Sequence, residues 1–203
     1  MPALSSRRQD LMAAATRVLA EQGLRGLTHR AVDREAGLSE GSCSAYYRTS
    51  RALQEALAQY VAATAAADVI ALTEELRACG PDDDRKVELT AQLFSRWLAE
   101  RDVLLARLEL ELAAARDPDL AAVMTEWRTR LVGLVATMAT ERGLADAGPR
   151  AEALVASADG VLLAALQRPV RGRRAFVTAS LERLLGGLAD HEPDDGADHH
   201  EDH

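Results

Sequence analysis

Aromatic residues are scarce in this chain: two tryptophans, three tyrosines and two phenylalanines make up 3% of 203 residues. That scarcity argues against a broad aromatic cage for planar cations. Sustained alternation of β-branched residues is also missing, while alanine and leucine dominate, so the chain reads as all-α. The two cysteines, Cys43 and Cys79, form no spaced pair, and neither a disulfide framework nor a zinc motif is visible. The opening MPALSSRRQDLM lacks an apolar segment long enough for a signal peptide, and no stretch approaches the roughly 20 apolar residues of a membrane span. No Gly-rich phosphate loop, metal-ligand spacing or nucleophile motif occurs, and the single lysine, Lys86, sits in an acidic stretch that reads as exposed. These absences point to a cytoplasmic chain that is not an enzyme, with no cofactor, no metal and no membrane partner.

What is present is concentrated between residues 28 and 53, THRAVDREAGLSEGSCSAYYRTSRAL. Thr28 is a good N-cap, and Ala31, Val32 and Ala36 give a short helix one buried face. Gly37 falls where the chain must turn, Leu38 plugs the angle between two helices, and Ser39 reads as the next N-cap. The second helix, about Glu40 to Tyr46, carries small and hydroxyl side chains instead of a leucine stripe. A surface that thin can lie in a DNA major groove, so the segment reads as a helix-turn-helix.

The segment resembles the N-terminal domain of TetR-type transcriptional repressors. The matching residues are Gly23, Leu24, Thr28, Ala31, Val32, Ala36, Gly37, Leu38, Ser39, Gly41, Ser42, Tyr46, Tyr47 and Ala52–Leu53. The family often has an aromatic where this chain has Ser44, and a lysine where Ser50 precedes Arg51. The resemblance implies an N-terminal three-helix DNA-binding domain at 1–48 and a six-helix ligand-binding and dimerisation domain at 49–189, followed by a tail at 190–203. It also implies a homodimer, a palindromic double-stranded DNA operator and a small-molecule effector.

Net charge supports that division. The chain carries −8 overall, but residues 1–53 hold eight arginines and five acids, a net of +3. The tail from 190 holds seven acids and no lysine or arginine. Residues 54–189 hold sixteen bases and twenty acids, so of these three parts only the one with the helix-turn-helix is net basic, as attraction to phosphate requires.

Periodicity and breakers give nine helices: about Ser6 to Gln22, the two of the motif, Ser50 to Ala78, Arg85 to Glu100, Asp102 to Arg116, Asp119 to Arg142, one from Gly148–Pro149 to Arg168–Pro169, and Arg173 to Leu188. At the DNA face, the resemblance implies phosphate contacts for Thr28 and Arg30, although Arg30 fits a solvated surface charge equally well. Ser39, Ser42 and Ser44 offer hydroxyls for phosphate or base edges, Gly41 permits close approach, and Ala45 suits a thymine methyl or nothing. Tyr46 resembles the family tyrosine that reaches a phosphate. Thr49 and the amides after it can hold a phosphate at a helix N-terminus, with Arg48 or Arg51 adding charge. Cys43 reads as a small buried apolar residue.

The fifth to seventh helices are the candidates for sensing. Leu104, Leu105, Leu108 and Leu112 form one stripe of the sixth, and Val103, Ala106, Leu110 and Ala113 cover its other side, so that helix is central. Trp97, Arg101, Leu104, Leu108, Glu111, Met124 and Trp127 are the expected lining of a ligand cavity. The bland alternative is a core tryptophan and an ordinary Arg107–Glu111 pair. Leu154, Ala158, Leu162 and Leu166, with Val177, Leu181 and Leu184, are the expected dimer interface on the last two helices. In the tail, His199, His200 and His203 beside carboxylates read either as a metal-binding tract or as a solubilising tail. The leading function is a ligand-responsive repressor; a helical scaffold or adaptor with a degenerate helix-turn-helix is the alternative.

Overall fold

The computed structural model describes residues 6–80 and 82–189, with side chains through 186. The sequence expectations for the tail at 190–203, its histidines included, lie outside these. Among the described residues the chain is all-α: α1 (Ser6–Gly26), α2 (His29–Glu35), α3 (Ser42–Tyr46), α4 (Ser50–Ala78), α5 (Asp83–Ala99), α6 (Arg101–Ala114), α7 (Pro118–Glu141), α8 (Ala147–Leu166) and α9 (Val170–Ala189).

Local chemistry explains most of the boundaries. Thr28 and Thr49 accept from the amides of Ala31 and Ala52 at 3.2 and 3.0 Å, satisfying first-turn donors of α2 and α4. Asp82 caps α5, and Asp117 caps α7 with Pro118 in its first turn. The helical dihedrals of α1 are interrupted at Gly23, at φ 66°, before a further turn reaches Gly26. α9 begins directly after Pro169, three residues earlier than the sequence suggests.

Two cores hold the helices together. In the first, Leu11, Leu19, Val32, Leu53 and Leu57 pack with Ala106, Leu110, Leu120 and Met124, so the core of the N-terminal helices runs on into α6 and α7. α1 packs chiefly on α6. The second joins α5, α6, α8 and α9 through Phe94, Leu98, Leu104, Leu162, Val177 and Leu181.

This second core corrects the expected dimer interface. Leu162, Val177 and Leu181 are 0%, 0% and 2% exposed within one chain, so they have no surface left for a partner. Each such side chain contributes about 1.5–3 kcal/mol to the protomer's own folding. Leu154, Ala158, Leu166 and Leu184 keep partial exposure. Three smaller expectations also change. Leu112 is 54% exposed instead of lying in a central stripe, and Lys86 is 8% exposed, bonded to Asp83 at 2.9 Å, instead of standing in solvent. α4, at 29 residues, is long and apolar enough to cross a membrane. Its Leu53, Leu57, Val61 and Ala65 are buried against the rest of the chain.

Candidate nucleic-acid interface and sensing chamber

The turn between α2 and α3 is built around Asp33. This carboxylate is 2% exposed and accepts from the amide of Gly41 at 2.8 Å and from that of Cys43 at 2.7 Å. A buried carboxylate is tolerated when amides satisfy its oxygens. The cap of α3 therefore comes from the preceding helix and not from Ser39, whose carbonyl instead accepts from the Ser42 amide and hydroxyl at 3.1 and 2.7 Å. Gly41 sits at φ 96°, which favours glycine, and α3 starts one residue later. Burial, and then the Asp33 charge, push the Cys43 thiol up to about 11, and the side chain is 0% exposed. It is a packed thiol and not a reactive one.

With Cys43 inward, the opposite side of α3 is free. Ser39, Gly41, Ser44, Ala45, Tyr46, Arg48 and Thr49 are exposed, and Thr28 and Arg30 are exposed on α2 and its cap. Ser42 is half-buried and its hydroxyl proton is committed to Ser39, so it is a turn residue before it is a reader. Ser44 donates to the Gly41 carbonyl at 2.9 Å and keeps its oxygen outward. The Arg8 guanidinium lies 5.6 Å from the centre of the Tyr46 ring, which brings α1 charge to the same face. Arg30 is paired with Glu40, both well exposed. Arg51 departs most from expectation. It is exposed but paired with Glu55 at 3.2 Å, Asp117 at 3.5 Å and Asp119, carboxylates of α4, the α6–α7 turn and the first turn of α7. Sequence reasoning missed Asp33 and also His29, whose Nε2 is 2.6 Å from the Tyr47 carbonyl. The one hint was an acid directly after the apolar pair Ala31–Val32.

The expected sensing residues come together only in part. Val61, Thr64, Ala65 and Asp68 of α4, Trp97 of α5, and Val103, Leu104 and Arg107 of α6 enclose a small space of about 10 Å³. Trp97 stacks on Phe94 and donates its indole N–H to Asp68 at 2.7 Å. Trp127 is buried against Ala62 and Ala65 on the same side of α4. Arg101 is exposed and Met124 belongs to the first core, so neither lines this chamber. Leu108 packs against the second core. Arg107, read from sequence only as half of an ordinary pair with Glu111, is the centre of the site at 4% exposure. Its hydrogen-bonded partner is Asp159 of α8, at 3.2 Å, and Arg128 of α7 holds the other oxygen of that carboxylate at 2.7 Å. Glu111, one turn along, is an ion pair at 3.9 Å, too long for a hydrogen bond.

Burial pushes the Glu111 carboxyl above the usual 4.5; Arg107 opposes this, Asp159 adds to it and Arg128 opposes it. A carboxyl raised by folding stabilises the folded state fully below its unfolded value, and that contribution is lost as pH rises through the folded value. Glu111→Gln is therefore expected to raise the thermal midpoint at pH 7 and to flatten its fall between pH 4 and 7 in circular dichroism melts. A lowered midpoint at pH 7 would mean that attraction to Arg107 outweighs burial.

On the far side, α8 and α9 leave an open groove lined by Ser157, Gly160, Val161, Ala164, Phe176 and Leu184 among others. A Cβ built on Gly160 would meet nothing within 4 Å, and Leu163 nearby is 47% exposed. Among the described residues, nothing covers this face of the last two helices.

The family model for bacterial regulatory proteins of the tetR family matches residues 11–57, and the model for the tetracyclin repressor-like C-terminal domain matches residues 81–189. No curated protein matches the chain. Among solved structures, the multidrug binding protein EbrR complexed with imidazole is 30% identical, with a TM-score of 0.63, over 89% of this chain and 96% of that one. A member of the TetR family from Streptomyces coelicolor A3 is 29% identical, with a TM-score of 0.61, over 87% and 98%. A transcriptional regulator from Rhodococcus sp. Rha1, 23% identical with a TM-score of 0.68 over 91% and 96%, shares the fold. The helix-turn-helix with its outward α3, the six helices behind it and both family matches place the chain in the TetR family of bacterial transcriptional regulators.

Proposed function

We propose that the chain is a ligand-responsive repressor that binds a palindromic double-stranded DNA operator as a homodimer and releases it when a small-molecule inducer enters the chamber among α4 to α7. The observation that carries this reading is the exposed set Ser39, Gly41, Ser44–Tyr46, Arg48 and Thr49, held outward by the Asp33 clamp within residues 1–53, which carry a net +3. EbrR, a relative with complexes of imidazole and of malachite green, supports a small-molecule effector. In this reading residues 1–48 read DNA, 49–189 sense and dimerise, and the protein acts in the cytoplasm, where its operator is. Inducer binding shifts α4 and, through the α1 contact, α6, changing the separation of the two recognition helices.

An electrophoretic shift with the DNA flanking its own gene tests the reading, with retention expected at low salt and steep loss as salt rises. Arg48→Ala is expected to weaken binding about tenfold across operator variants with little change of preference, since phosphate contacts carry no sequence information. Arg51→Ala should cost less, because carboxylates already hold that guanidinium. Selection from random DNA with Ser44→Ala should return an altered motif. An identical motif would remove Ser44 from the reading face.

A further inference from the structure

Both tryptophans of the chain converge on one internal cation. The Arg107 guanidinium carbon lies 5.3 Å from the centre of the Trp97 ring and 5.8 Å from that of Trp127. Attraction between a cation and an indole face strengthens when water is excluded, as it is here. Two rings are no broad aromatic cage, but both flank this one guanidinium.

Acid surrounds the same point. Asp159 takes one bond from Arg107 and one from Arg128, Glu111 stands 3.9 Å from Arg107 Nε, and Asp68 accepts from the Trp97 indole. Among the described residues Asp68 has no cationic partner, so three carboxylates share two guanidinium groups. The arrangement is also incomplete. Arg107 Nε, Glu111 Oε1 and Trp127 Nε1 are buried without hydrogen-bond partners, each an unmet cost. The remaining space beside Arg107, about 10 Å³, holds about one water. That space is too small to seat an organic ligand beside the Arg107 side chain.

We propose that the site between Trp97 and Trp127 takes a planar, delocalised organic cation of the amidinium or guanidinium class, for which Arg107 is the built-in stand-in. This rests on the ligand-responsive reading above and names its ligand class. The two indole faces accept the flat cation, and Asp68 and Glu111 accept its N–H donors. Asp159 is not stranded when Arg107 leaves, because Arg128 remains bonded to it. An anion of the same shape would face three carboxylates. Displacement of Arg107 also acts on α6, whose neighbouring Ala106 and Leu110 are in the core shared with α1.

Benzamidine, benzamide and benzoate have nearly one shape and carry positive, zero and negative charge, so they isolate the point. With the full chain, benzamidine alone is expected to perturb tryptophan fluorescence and to release operator DNA. Asp68→Asn, which keeps an acceptor for Trp97, should weaken benzamidine at least tenfold. Arg107→Gln should tighten it at least tenfold, since the internal competitor is gone, whereas Arg107→Lys should not. Weaker benzamidine binding by a folded Arg107→Gln protein would overturn the proposal, and so would silence of all three probes. If Arg107→Gln fails to fold, the wild-type ranking and Asp68→Asn decide. A response to benzoate or benzamide in place of benzamidine, with operator release, sinks the cation class and leaves the repressor reading standing. Benzamidine binding that never releases operator supports the cation site and sinks the inducer reading instead.

Discussion

Asp33→Ala is expected to abolish specific operator binding and to lower the thermal midpoint together. The substitution leaves the Gly41 and Cys43 amides without their acceptor, and the Cys43 amide is buried. Hydrogen bonds to a charged group contribute about 1.5–3 kcal/mol each, so losing two removes roughly 3–6 kcal/mol. That is a large fraction of the roughly 5–15 kcal/mol that holds a typical domain folded. The loss falls on a recognition helix of only five residues, Ser42–Tyr46, far too short to persist without external support. Asp33→Asn keeps one oxygen but turns an amide donor toward another donor, so its effect should be intermediate. The two variants are compared by circular dichroism melts and by gel shift. Full operator affinity in a folded Asp33→Ala protein would show that α3 is held by something else.

A charge placed in the outer groove should separate the subunits, while the same charge one turn earlier should unfold them. Leu184 borders the open groove with Val161 and Phe176 and keeps partial exposure. Leu181, on the same helix, is 2% exposed in the chain's own core. In a two-fold dimer Leu184→Glu enters the interface twice, and an unpaired buried charge costs several kcal/mol. The expected product is a folded monomer that no longer retains a palindromic operator. Leu181→Glu puts that charge between α5, α8 and α9, and the expected result is loss of cooperative melting. Sedimentation velocity and melting curves separate the outcomes. A dimeric Leu184→Glu protein would place the interface on another face.

Much of the molecule was legible without coordinates because it depends on neighbours in the chain. Helix lengths follow from alanine- and leucine-rich periodicity, and the caps at Thr28 and Thr49 from their hydroxyls. The turn at Gly37 follows from a backbone that favours glycine at φ 66°. The motif from Gly23 to Leu53 needed only residue types at fixed spacing, and it carried the family with it.

Three features depended on which surfaces meet, and periodicity is silent about that. A helical stripe says that Leu181 and Leu184 lie near one face, but not that one turns to α5 and α8 while the other borders the groove. Asp33 is singled out by nothing in the sequence, and its role exists only because α3 brings the Gly41 and Cys43 amides onto it from eight and ten residues away. Arg107 reads in the sequence as half of an ordinary pair with Glu111, and only the fold supplies Trp97, Trp127 and Asp159 around it from α5, α7 and α8. The sequence by itself determined the helices, their order and the DNA-reading motif, since propensity, capping and turn geometry act within a few residues. The tertiary structure alone decided which polar groups are buried and what satisfies them, since that is settled by desolvation and by partners remote in the chain.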